Sequence, residues 1–142
     1  MTTWTADELA RIGQADELRI AALRADDSLR RPTTIWVVAD GDELYVRSAH
    51  ADQAAWWRAT RVRHQGHISA GGIERDVTFA EVPDPDENDR IDAAYRAKYR
   101  RYPAAYTDAV VNPEARATTI RLVPLDGLVS LDELVSLDEK AP

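Results

Sequence analysis

Residues 30–58 read RRPTTIWVVADGDELYVRSAHADQAAWWR, and this stretch decides the fold. Pro32 lacks an N–H, which is tolerated at a strand's first residue. Residues 33–39 are β-branched and aromatic and predict one continuous strand. Asp40-Gly41-Asp42 is a hairpin turn in which Gly41 supplies the positive φ. Beyond it, Leu44 and Val46 point one way while Tyr45 and Arg47 point the other, so one strand face belongs to a core and the opposite face lines something wetter. Residues 50–53 form a polar corner, and residues 53–61 a short helix carrying Trp56 and Trp57. Arginines stand at the ends of these elements. A guanidinium fork suits bidentate capture of phosphate or carboxylate, so the stretch reads as the wall of a pocket for a small anionic or aromatic ligand.

Upstream, Thr5-Ala6-Asp7-Glu8 is a capping box opening a helix with Leu9 and Ile12 on one face, and Gly13 is placed to end it. Residues 15–27 fit a helix by propensity and a strand by the alternation of Leu18, Ile20 and Ala22. Downstream, residues 67–82 carry Gly71-Gly72 between two β-type runs, with Val77 and Phe79 on one face. Pro83-Asp84-Pro85-Asp86 breaks the sheet. Asp86 or Asn88 then caps a helix running to about residue 101, whose Ile91, Tyr95 and Tyr99 form one stripe, and Pro103 stops it. Residues 104–116 form a short helix or turn, and residues 117–124 a last strand. One domain over residues 1–125 is expected. A tail over residues 126–142 holds the tandem repeat LVSLDE-LVSLDE, expected to form a short helix that packs on the domain or on a second copy of the chain in a homodimer.

The 142 residues carry 18 Lys and Arg against 25 Asp and Glu, a formal charge of −7. Such a field repels phosphate backbones and anionic lipid, so neither nucleic acid nor membrane is an expected partner, and a local arginine cluster stands out against it. With no cysteine there is no disulfide, thiolate nucleophile or Cys-based zinc site. No apolar run reaches the length of a membrane span, and residues 1–13 lack a signal-peptide pattern, so a soluble, cytoplasmic protein is expected.

The aromatic and titratable residues divide by role. Trp36, mid-strand, is expected in the core. Trp56 and Trp57 point about 100° apart on a helix, so one is buried and the other flanks the pocket. His64 and His67 are separated by Gly66 and a strand start, which does not make a helical ligand pair, and no metal site is expected. General-base use of an imidazole would suit His50, but the sequence positions no nucleophile for it. The tyrosines are a packing stripe from which Tyr106, just past Pro103, is singled out as a proton or hydrogen-bond donor. Walker, dinucleotide, nucleophile-elbow and HExxH motifs are all absent from the sequence.

Through TADELARIG, RRPTTIWVV with DELYVRS, AWWRA, GGIERDVTF, IDAAYRAKYRRY and RATTIRLVP, the chain resembles domain-of-unknown-function family 2255 over residues 1–124. More distantly it resembles the deazaflavin-dependent nitroreductases of the flavin-binding split-barrel group. The resemblance decides residues 15–27 in favour of strand. It implies an α+β fold, an antiparallel split β-barrel with short covering helices, holding FMN or a deazaflavin in a groove. By position, Arg31, Thr33 and Thr34 would lie near the ring or phosphate. Arg47, Ser48 and Trp56 would follow the phosphate-bearing tail, with Tyr106 beside the substrate. One departure is chemical. Where the nitroreductases carry Gly-Arg-Lys-Ser-Gly, this chain has Ala25-Asp26-Asp27-Ser28-Leu29, and two anions near a polyanionic tail cost on the order of 1 kcal/mol per close pair. Two functions follow: a flavin- or deazaflavin-linked oxidoreductase, or a cofactor-free ligand-binding or dimerising module on the same barrel.

Overall fold

One antiparallel sheet organises the computed structural model, which describes residues 3–125. Its strands are β1 (Leu18–Ala22), β2 (Thr33–Ile35), β3 (Val38–Asp40), β4 (Glu43–Val46), β5 (Gln65–Ala70), β6 (Ile73–Glu81) and β7 (Ile120–Leu125), in the order β2-β1-β5-β6-β7-β4-β3. The helices are α1 (Ala6–Gln14), α2 (Ala55–Arg63), α3 (Pro85–Lys98), α4 (Ala104–Asp108) and α5 (Pro113–Arg116). The two outermost strands, β2 and β3, are consecutive in sequence, so the sheet curls until its edges approach. This is the expected split barrel with covering helices. The tail helix and its LVSLDE repeat fall outside the described residues.

The expected single strand over residues 33–39 is two. Trp36 and Val37 leave the ladder between β2 and β3. Their backbone is held from α3: Val37 N–H donates to the Tyr99 hydroxyl at 3.2 Å, and Lys98 Nζ donates to the Val37 carbonyl at 2.6 Å. Groups that would otherwise be buried without partners are thus satisfied off the sheet.

Inside the curl, Ile12, Leu18, Ile20, Leu44, Val46, Ile68, Val77 and Leu122 form the main core. A second cluster, Val38, Tyr45, Ile91, Tyr95 and Tyr99, fills the space between β3, β4 and α3. The face of β4 expected to be wet is therefore covered, because the apolar stripe of α3 lies over it and buries both Tyr45 and Arg47. The α3 stripe itself is as expected, with Ile91, Tyr95 and Tyr99 fully buried. Asp84, rather than Asp86 or Asn88, caps that helix by accepting from Glu87 N–H.

The capping box at Thr5 and Glu8 is closed in both directions, at 2.9 and 3.1 Å. Gly13 does not end α1, which continues to Gln14. A Cβ at Gly13 would lie 3.2 Å from that of Ala39, so the glycine lets the helix approach β3. Gly71, at φ +58°, makes the expected β5–β6 turn, where a Cβ would meet the Arg11 carbonyl at 2.3 Å.

Candidate functional site

The kink between β2 and β3 builds one wall of an open groove. Pulled off the ladder, Trp36 stacks on Tyr99 with centroids 3.7 Å apart and planes 1° apart, and Tyr102 lies tilted against it at 5.4 Å. Tyr106 meets Tyr102 edge-on at 6.3 Å. Trp36, Tyr102 and Tyr106, with Thr33, Thr34, Trp56 and Arg47, line a cavity of about 660 Å3. The structure thus brings together five of the seven residues singled out in the sequence: Thr33, Thr34, Arg47, Trp56 and Tyr106. Trp36 is not the core residue expected mid-strand; it is half-buried and belongs to the groove.

Arg31 lies next door. With Arg24 and Arg30 it lines a niche of about 250 Å3, which shares Thr33 and Trp56 with the larger cavity. Arg30 Nε is buried there without a hydrogen-bond partner among the described residues, an arrangement that costs free energy unless something binds it. Arg24 reaches Ser28 Oγ at 3.2 Å and the Leu29 carbonyl at 3.0 Å. The neighbouring carboxylates are engaged elsewhere. Asp26 accepts from Ser28 Oγ at 2.6 Å and Ser28 N–H at 3.0 Å, which holds its carboxyl below the usual range, and Asp27 is paired with Arg63.

Arg47 reaches the cavity wall from behind. Its side chain has no solvent exposure, and all five N–H groups find acceptors within the chain. Nε donates to Thr119 Oγ1 at 2.9 Å, one terminal nitrogen to Asp92 and the Val110 carbonyl, and the other to the carbonyl and side-chain oxygens of Asn88. Ser48 is also buried, its N–H donating to Thr118 Oγ1 at 2.9 Å and its Oγ accepting from His50 N–H at 3.2 Å. It lines neither cavity. The pair Trp56 and Trp57 diverges as their spacing requires, although neither is fully buried. Trp57 donates Nε1–H to the Thr118 carbonyl at 3.0 Å, carries the Arg61 guanidinium 5.0 Å over its ring, and lines a separate cavity of about 330 Å3.

The far end of the groove is acidic. Asp16 and Glu17 line it; Asp16 is paired with Arg101, which holds its carboxyl low. Behind them, burial lowers Lys98 to about 8, with Asp16 acting in the opposite sense. The Lys98 amine donates to the Ala15 and Val37 carbonyls at 2.5 and 2.6 Å. His67 lies apart on β5, between Asp76 at 2.9 Å and Glu74 at 3.2 Å. Burial opposes its protonation, but those two carboxylates outweigh it and raise the imidazole. Among the described residues no three His, Cys, Asp or Glu side chains cluster as metal ligands, and no helix is long and apolar enough to cross a membrane.

Sequence reasoning did not place Trp36, Tyr102, Asp16 or Glu17 at a site. The RYPAAY corner held a signal for Tyr102, since a proline there turns two tyrosines toward the same opening. Nothing local marked Asp16 and Glu17.

A family profile matches residues 8–122. The chain belongs to the DUF2255 family. Its description is "Uncharacterized protein conserved in bacteria". No curated protein matches the chain. Among solved structures, DUF2255 as seen here is similar to HutZ, the heme storage protein of Vibrio cholerae, at 14% identity and TM-score 0.56, covering 88% of this chain and 93% of that one. An FAD-binding protein from Mesorhizobium loti matches at 16% identity and TM-score 0.51, over 88% and 92% of the two chains. A protein named F420 reductase matches at 13% identity and TM-score 0.50, over 82% and 90%. At these identities the likeness establishes the split barrel alone.

Proposed function

We propose that this DUF2255 chain is a split-barrel oxidoreductase whose groove holds FMN or a deazaflavin. The observation that carries this is the continuity of an aromatic-walled cavity with a niche containing a buried, unpartnered guanidinium nitrogen. That shape fits a planar ring joined to an anionic tail. Trp36 and Trp56 offer ring faces, Thr33 and Thr34 offer hydroxyls beside the ring, and Arg31 joins Arg30 and Arg24 at the tail phosphate. A bound flavin-type group would supply the hydride chemistry.

The remaining residues act on shape and on protons. Arg47, expected along the tail, has no free N–H to give, so its part is to fix the wall through Asn88, Asp92 and Thr119. Ser48 supports the same corner through Thr118. Tyr106, 59% exposed, sits at the mouth, where a phenol can donate a hydrogen bond to a substrate. The repulsion expected from Asp27 is offset by its pairing with Arg63, while Asp26, hydrogen-bonded to Ser28, keeps its negative charge.

The visible spectrum of the protein as isolated, followed by tryptophan-quenching titrations with FMN and the deazaflavin F420, tests this reading. A yellow protein, or saturable quenching, is expected. Arg30→Ala and Arg31→Ala should each weaken binding roughly tenfold or more, the scale of one charge-assisted hydrogen bond. A colourless protein with no quenching by either compound would leave the cofactor-free ligand-binding module as the function of this barrel.

A further inference from the structure

We infer that the end of the groove opposite the arginine niche selects a planar aromatic substrate carrying a positive charge. Two kinds of cation-attracting group meet there. Trp36, Tyr102 and Tyr106 form a run of rings with successive centroids 5.4 and 6.3 Å apart, and Tyr106 is 59% exposed. Glu17 lines the same cavity, exposed, with no hydrogen bond or ion pair among the described residues. Ring faces and carboxylates together are how proteins hold organic cations.

The chain already uses this arrangement once. The Arg101 guanidinium lies 4.7 Å over the Tyr102 ring while paired with Asp16. Tyr106 and Glu17 offer the same two kinds of group to the larger cavity, and among the described residues no cation of the chain is paired with either. Arg19 lines an adjoining cavity with Glu17 but not this one, and the two do not form an ion pair. Arg47 is neutralised by Asp92 behind the wall, and Lys98 directs its amine to the Ala15 and Val37 carbonyls. His50 is the remaining titratable side chain lining the cavity. The β1–β2 register, Leu18 opposite Ile35 and Ile20 opposite Thr33, sets Glu17 toward Trp36 and away from Arg31, so the groove has a guanidinium end and a carboxylate end. An anionic tail and a cationic substrate would bind side by side without competing.

The location rests on the groove being the ligand site proposed above; the charge preference does not depend on which cofactor occupies it. The test is quenching of the full-length protein by two planar dyes, cationic methylene blue and anionic resorufin, with parallel FMN and F420 titrations. Wild type, Glu17→Gln and the remote exposed control Glu114→Gln are compared at low salt, with folding checked by circular dichroism. Methylene blue should bind at least tenfold tighter than resorufin. Glu17→Gln should weaken methylene blue roughly three- to tenfold while leaving FMN unchanged, and Glu114→Gln should change neither. Equal affinity for the two dyes would overturn the inference, as would equal losses in both variants, which would mark attraction to the net negative charge alone. Dye selectivity that depends on Glu17 in a protein that ignores both FMN and F420 would sustain this inference and remove the flavin and deazaflavin reading.

Discussion

Replacing Arg47 with methionine separates a wall-building arginine from a ligand-binding one. The substitution keeps the apolar stem out to about the position of Nε but removes the guanidinium and its five N–H donors. Breaking a buried ion pair by removing one partner costs about 3–5 kcal/mol. The structure argues for the lower part of that range, because the partners are not all stranded. Asp92 keeps Arg116 at 2.7 Å, and Asn88 Oδ1 keeps the Thr119 hydroxyl at 2.8 Å. The Val110 carbonyl loses the guanidinium, and Tyr95 loses the cation 5.6 Å over its ring. A loss of about 3 kcal/mol is expected, which for a domain of this size lowers the melting temperature by about 10–15 °C. Urea titration followed by circular dichroism measures it as a fall in the midpoint at constant slope. Arg47→Lys should recover little, since one ammonium cannot reach five acceptors. A loss under about 1 kcal/mol, or abolished cofactor binding in a variant of unchanged stability, would refute the reasoning and return Arg47 to the ligand.

Three further outcomes follow from the same contacts. Tyr99→Phe strands the Val37 N–H and the Asp16 carbonyl, which the hydroxyl meets at 3.2 and 2.6 Å. It should cost about 1–3 kcal/mol and shift tryptophan emission as Trp36 loosens, both readable in one fluorescence-detected urea curve. His67 has a raised folded pKa, so its pairing with Asp76 and Glu74 stabilises fully below the unfolded value of 6.5 and fades as pH rises through the folded one. His67→Gln should flatten that fall in the urea midpoint above pH 6.5. Lys98 is lowered from 10.5 to about 8, so the folded state sheds its proton first and stability should rise with pH between those values. An NMR titration of the Lys98 Cε signal with a midpoint near 10.5 would contradict this.

What could be read from the sequence was whatever is decided locally. The glycine turns at Gly41 and Gly71-Gly72, the Thr5–Glu8 capping box, and the stripe of Ile91, Tyr95 and Tyr99 each follow from spacing and backbone preference within one segment. The break at Trp36–Val37 could not be read there, because it is imposed by Lys98 and Tyr99, some sixty residues further along the chain. Arg47 looked like a pocket cation for the same reason: its acceptors come from α3, Val110 and the approach to β7. Asp27 carried an expected repulsion that Arg63, far along the chain, offsets, whereas the charge of Asp26 remains. The sequence shows Arg30 and Arg31 adjacent ahead of Pro32, but not that Ala55, Trp56 and Ala59 of α2 line the same niche.

The short passage of Trp36 and Val37 between β2 and β3 also bears on how copies of this chain behave when crowded. An exposed strand margin invites a neighbour to add on, and a long one seeds fibres. Here both margins belong to strands of three residues, and two residues tether one margin to the other. A neighbouring molecule would find too few consecutive backbone groups on either side to zip against. A bend that opens a groove thereby also denies aggregation a template.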